Sequence, residues 1–432
     1  MLVEFSVANF LSIKERQTLR MDATGISDYP ERVFTAGRHK LLRSAAIYGA
    51  NASGKSNLLK AIGAMNSILK TSAQNQSTNE ILVEPFRLNT ETVHQPSHFE
   101  IIFLIDKSLF RYGFEVDEKV VHAEWLFETK NVQEKALFLR QTDTIEVSKG
   151  YKEGKGLEER TRENALFLAV CDQFNGPTAK RIFNWFRHVI YTSGVDHDVH
   201  REHLLRLLDA PPIAAILTAI FSKMNFGFDA IGLQKGEMSE DYLSGFSEEQ
   251  QRHFQMLLNG KQTVAVKTAH KQYDKDNQLT GYIALDLAED ESSGTNKFFD
   301  LLAPVYLSLD GSGLIIIDEL DAKLHPLLTQ AIIRLFNDPV TNPNNAQLIF
   351  ATHDTNLLSY GQFRRDQIWF TEKDQYGATC LYSLVEYQEE DGTKVRKDRS
   401  FETDYIQGRY GAIPYIGDFS KLFQQHGAGS EN

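Results

Sequence analysis

An α/β fold carrying an antiparallel β meander and an inserted, mostly helical lobe is predicted by three patterns in the sequence. Residues 313–320 (GLIIIDEL) and 346–352 (AQLIFAT) have the continuous apolar character of strands buried on both faces. Residues 44–48 (SAAIY) form a further strand-like run, and it ends at a Gly-rich loop. From about 98 to 148 the pattern turns to period two (HFEIIFLI, LFRYGFEV, VVHAEWLFE, KALFLR), broken by turn-forming DKS and VDEK, as a meander requires.

In chain order, residues 2–8 alternate apolar and polar and open the fold as a strand. After the Gly-rich loop, SNLLKAIGAMNSILK places Leu58, Leu59, Ile62, Met65 and Leu69 on one helical face. Residues 178–260 read as mainly helical, with apolar positions in TAKRIFNWFRHVI and HLLRLLDAPPIAAILTAIFSKM and a break at Pro211 and Pro212. Phe183, Trp185 and Phe186 there read as core rather than as a base-stacking platform. Period two returns over 263–287 around the turn DKDNQ, and a helix follows over 295–309. The chain thus divides into an N-terminal lobe (1–175), the inserted lobe (176–262) and a C-terminal lobe (263–432). Its 432 residues exceed the size at which a single core stops growing.

Composition narrows the function classes. Hydrophobic residues make up 42% and charged residues 24%, ordinary globular values. No run approaches the roughly 18 apolar residues of a membrane span, and Met1 leads into a strand rather than a secretory signal, so a cytoplasmic protein is expected. Cys171 and Cys380 stand far apart with no CxxC, which argues against a disulfide framework or a cysteine zinc site. The net charge of −12 excludes a surface that grips nucleic acid everywhere and leaves such a partner only a local basic groove.

Four segments carry chemistry. Gly49-Ala-Asn-Ala-Ser-Gly54-Lys55-Ser56 fits the P-loop pattern and stands after a strand and before a helix. Glycines let the backbone wrap a phosphate chain, and the helix N-terminus turns unpaired N–H groups toward it. Gly49, Asn51, Ser53, Gly54, Lys55, Ser56 and Asn57 are therefore candidate ATP-binding residues, with Lys55 on the β and γ phosphates and Ser56 on Mg²⁺. The strand LIIID ends in Asp318 and Glu319, the Walker B pattern, which assigns Asp318 to Mg²⁺ and Glu319 to the attacking water as general base. Thr352-His353 ends the next strand, the place of a γ-phosphate sensor.

These motifs resemble the ABC-type ATPase heads, including those of chromosome-maintenance and recombination proteins. That family has a signature segment before Walker B that opens a helix and lies on the partner's ATP in a dimer. Glu291-Ser292-Ser293-Gly294-Thr295 holds the place here, so the resemblance implies that Ser292 and Gly294 contact the opposite γ-phosphate. Two positions depart from the family. His325 stands where its acidic D-loop residue would be, and no Q-loop glutamine can be placed in the expanded region after the P-loop helix.

A fuller resemblance is to the stand-alone bacterial ATPases of phage-defence and restriction-linked operons, the RloA-like or abortive-infection ATPases. It rests on VEFSVANFLSIKE, YGANASGKSNLL, FRLN…PSHFEI, ESSGT, DELDAKLHPLL, ATHDTNLL and GRYGAIPYIGDF, in that order along the chain. It implies an ATP-dependent dimer, a sensor or scaffold for a separately encoded effector, commonly a nuclease, with nucleic acid not required as a partner. Related overcoming-lysogenization nucleases add a C-terminal Toprim domain, for which the 79 residues after His353 are too few. A DNA-repair or recombination ATPase that binds DNA directly is the alternative. A small-molecule kinase would leave Ser292 without a role.

Three other clusters read as structural. His197, His200 and His203 form a solvated turn rather than a metal triad, since positions six apart diverge by more than half a helical turn. The run KVRKDR (394–399) reads as the rim of a charged hairpin, as do Arg364 and Arg365.

Overall fold

The computed structural model describes residues 1–414 apart from 75, 195–200, 209, 225, 237–262, 360 and 390–391. The N-terminal part contains β1 (Leu2–Ala8), β2 (Gln17–Arg20), β3 (Val33–Ala36), β4 (His39–Leu42), β5 (Ser44–Gly49) and α1 (Lys55–Ser72). The meander follows as β6 (Ser97–Ile105), β7 (Ser108–Val116), β8 (Val121–Thr129), β9 (Glu134–Gln141) and β10 (Thr144–Val147). Then come α2 (Phe167–Gln173), α3 (Pro177–Arg187), β11 (Val189–Ser193), α4 (Arg201–Leu208), α5 (Pro211–Met224) and β12 (Ala230–Gly236). The C-terminal part runs β13 (Thr263–Tyr273), β14 (Leu279–Asp286), α6 (Leu287–Asp290), α7 (Ser293–Asp310), β15 (Leu314–Asp318) and α8 (Pro326–Asn337). It closes with β16 (Gln347–Ala351), β17 (Ile368–Lys373), β18 (Thr379–Ser383) and α9 (Phe401–Ile406).

The mixed α/β architecture rests on two large sheets. Seven antiparallel strands in the order β10-β9-β8-β7-β6-β1-β2 confirm the meander and add the N-terminal strand to it. The central sheet has the order β11-β15-β16-β5-β17-β18 and is parallel except for its last pair. Helix α1 lies between the sheets. Its buried Leu58, Leu59, Ile62, Met65 and Leu69 pack with Phe5, Ile101 and Phe103 on one side and Ile316 and Ile349 on the other. The opposite face of the central sheet carries α7 and α8, where Phe298, Leu302 and Ile333 meet Ile317 and Phe350. Gln347 stitches the sheets together: its amide donates to the carbonyls of Leu2 and Leu42 and accepts the backbone N–H of Leu2.

Two strands interrupt the stretch that the sequence marks as mainly helical. VIYTS enters the central sheet as β11, paired in register with β15, and β12 joins β13 and β14 in a three-stranded sheet. Five residues between two helices give too short a run for periodicity to separate strand from helix. Phe186 is 1% exposed and Trp185 stacks on Phe103 with ring centres 4.3 Å apart, so this aromatic cluster is core. His197 and His200 lie outside the described residues, as does the chain beyond Pro414, which holds the end of the GRYGAIPYIGDF motif.

Arg364 departs from the surface role read in the sequence. It is 1% exposed, and its guanidinium is bidentate to Asp366 at 2.9 Å while donating to the carbonyl of Asp28. Arg365 pairs with the carboxylate of Asp28 at 2.8 Å. Buried charge is tolerated here because every partner is charged or a carbonyl. The 394–399 run does line a charged hairpin, with Arg396 on Asp398 and Arg399 on Glu389 and Asp404.

Candidate functional site

The loop of the P-loop pattern, residues 49–56, grows out of the parallel sheet. Strand β5 ends at Gly49, the loop passes through Ala52 at φ 63° and Gly54 at φ 109°, and α1 begins at Lys55. Only glycine fits at Gly54. A Cβ there would sit 2.1 Å from Thr379 Oγ1, and the backbone is left-handed. The floor is drawn from distant parts of the chain. Ser53 Oγ bonds Thr371 Oγ1 at 2.7 Å, Thr379 donates to the Ser53 carbonyl at 3.0 Å, and Ser12 bridges Thr379 and the amide of Asn57. The side chain of Asn57 is therefore tied to the N-terminal loop.

Lys55 is 5% exposed and donates to the carbonyls of Gly49 and Ala50 at 2.9 and 3.0 Å. Burial lowers its pKa, opposed by the carboxylates of Asp318, Glu319 and Asp321. A cavity of 390 Å³ opens above it, lined by Asn51 to Asn57 together with Glu319, His353 and Lys373. The two acidic and imidazole groups reach it from the strand ends on one side of β5, and Lys373 from β17 on the other.

Asp318 closes β15, is 7% exposed, and its Oδ1 is buried with no hydrogen-bond partner among the described residues. An orphaned carboxylate oxygen whose charge acts on Lys55 fits a divalent cation's oxygen-ligand chemistry. Glu319 follows at φ 52°, a conformation uncommon outside glycine. His353 donates its backbone N–H to both oxygens of Asp321. Burial and then the Lys55 charge lower the His353 pKa, favouring neutral imidazole.

The 291–295 segment stands elsewhere. Ser292 is the N-cap of α7, its Oγ accepting the Thr295 N–H at 3.1 Å, and Ser292 and Ser293 are exposed. Glu291 is held by Thr268 and His270 of β13, both at 2.7 Å. None of these residues lines the P-loop cavity of the same chain. Gly294 faces the loop after Glu319 so closely that a Cβ would meet the Lys323 carbonyl at 2.6 Å.

The family relationship is decided by the segment that builds this site. Residues 44–359 match the family described as "AAA domain, putative AbiEii toxin, Type IV TA system". The chain belongs to this AAA-domain family. No curated protein matches it. The SMC head domain from Thermotoga maritima is similar in structure at 13% identity and a TM-score of 0.35, covering 88% of this chain and 98% of that one.

In this AAA-domain chain His325 and the strand end beside the acidic pair can be located. His325 caps α8, its Nδ1 accepting the Leu327 N–H at 3.2 Å. Strand β11 lies beside β15 with Ser193 opposite Asp318, so the strand end next to the acidic pair carries Thr192, Ser193 and Gly194 rather than a glutamine. Lys373 and Thr371 join the site without any motif to announce them, and Asp321 and Ser12, though inside DELDAKLHPLL and VEFSVANFLSIKE, have no role that the sequence alone assigns.

Proposed function

We propose that the chain is an ATPase of the ABC type that binds Mg·ATP in the P-loop cavity and hydrolyses it between two copies of itself. In this reading Lys55 neutralises the β and γ phosphates, Ser56 and Asp318 hold Mg²⁺, Glu319 polarises the attacking water, and His353 faces the γ-phosphate. Bound Mg²⁺ would supply charge neutralisation across the terminal phosphates. Ser292 and Gly294 act in trans, placing the N-terminus of α7 on the partner's triphosphate. The observation that carries this is a division of parts. Lys55, Glu319 and His353 line one cavity, while the capped and exposed start of α7 lies outside it.

The motif order along the chain further supports a role as sensor or scaffold that controls a separately encoded effector, most simply a nuclease, in anti-phage defence. The dimer is the testable core of the proposal. Native mass measurement of Glu319→Gln with ATP should give a dimer that wild-type protein with ADP does not form; a monomer in both would overturn it.

A further inference from the structure

Lys297, the fifth residue of α7 after the Ser292 cap, is fully buried, at 0% exposure. Among the described residues its ammonium bonds no carboxylate. It donates to three carbonyls, those of Glu319 at 3.0 Å, Leu320 at 2.9 Å and Ala322 at 2.5 Å. Lysine is seldom buried this completely, and an apolar side chain would fill the space at lower cost in desolvation. What the ammonium adds is direction, since its three N–H bonds match three carbonyls of one loop.

That loop needs outside ties. It passes through Glu319 at φ 52° and Lys323 at φ 60°, both left-handed and both carrying side chains. Lys297 holds the carbonyl of Glu319 itself, Gly294 leaves no room beside Lys323, and Asp321 is bonded to the His353 backbone. Burial pulls the Lys297 pKa down to about 8, against the raising effect of Asp321 and Glu319, so the ammonium form persists at neutral pH.

We infer that Lys297 is a positioning residue that couples the two sites of the proposed dimer: seating Ser292 on a partner's triphosphate sets, through α7, the placement of Glu319 in its own site. The inference rests on the ATP-sandwich reading above. It supplies a physical link between sites in a chain whose D-loop position holds the helix-capping His325.

The test is a double-mutant cycle in the full-length protein between Lys297→Met and Ser292→Ala, with labelled-ATP binding and steady-state turnover measured for each variant. Lys297→Met should bind ATP within about two-fold of wild type, lose about ten-fold or more in kcat, and turn over without cooperativity in ATP. In that background Ser292→Ala should cost several-fold less in kcat than it does in wild type. Effects of the two substitutions that simply multiply, or wild-type kcat in a folded Lys297→Met protein, would overturn the coupling.

Gly194→Ala tests the same link if Lys297→Met fails to fold. A Cβ there would lie 2.1 Å from the Glu319 carbonyl and 2.7 Å from Lys297 Nζ, so it should reproduce the loss of kcat and cooperativity at intact ATP binding. Retained kcat would overturn the inference. Absence of ATP turnover in wild type would overturn the ATPase reading itself, whereas turnover abolished by Ser292→Arg upholds that reading whatever Lys297 does.

Discussion

Asp321 receives the backbone N–H of His353 on both carboxylate oxygens at 3.3 Å, joining the loop after Glu319 to the end of the neighbouring strand. The same carboxylate raises the Lys55 and Lys297 pKa values against their burial. One acidic side chain therefore serves the phosphate side, the loop and the imidazole together.

Replacing Asp321 with alanine should lower kcat by about ten-fold or more, since hydrogen bonds to charged groups contribute about 1.5–3 kcal/mol. ATP affinity should change far less. Steady-state kinetics beside equilibrium binding of labelled ATP separates the two.

Asp318→Asn removes the charge of the buried, unpartnered oxygen. ATP should still bind, but the extra thermal stabilisation that Mg²⁺ adds to ATP should disappear and turnover should fall by at least about 100-fold. Melting curves with ATP, with ATP plus Mg²⁺, and with ATP plus a chelator check this. An unchanged Mg²⁺ increment would remove Asp318 from the metal site.

The alkaline limb of stability should report Lys297. Its folded pKa is about 8, below the ordinary 10.5. Between these values the unfolded chain holds a proton that the folded chain has lost, so this group makes stability rise with pH across the window and adds no slope below it. Denaturant midpoints at pH 8 and pH 10 should therefore rise more, or fall less, in wild type than in Lys297→Met.

Arg364→Met should destabilise the protein by about 3 kcal/mol, because it removes the cationic partner of the buried Asp366 carboxylate and leaves it, among the described residues, only the Thr24 N–H and hydroxyl. ATP affinity should remain within about two-fold. Chemical denaturation and nucleotide titration of one sample give both numbers.

Local patterns carried much of the architecture. The loop of the P-loop pattern, the buried strand that ends in Asp318 and the meander strands are each a continuous segment whose periodicity and flanking residues suffice to place them. Other features depend on contacts between segments that are remote in the chain. Strand β11 is five residues long, and its identity comes from lying in register with β15. Arg364 reads as surface until Asp28 and Thr24, more than 300 residues earlier, are brought against it. Lys373 lies at the end of a strand with no recognisable motif, yet it walls the cavity opposite Glu319. Lys297 sits among the apolar residues of a helix, where only the three facing carbonyls reveal its role.

Strand β5 is flanked by β16 and β17, both encoded roughly 300 residues after it. At about 5–20 residues per second, a ribosome exposes the phosphate-loop strand for roughly 15–60 seconds before either neighbour exists. Contacts of such long range also slow folding. The nascent N-terminal half must shelter an apolar strand meanwhile, so truncation before residue 347 should yield aggregates rather than a smaller working domain.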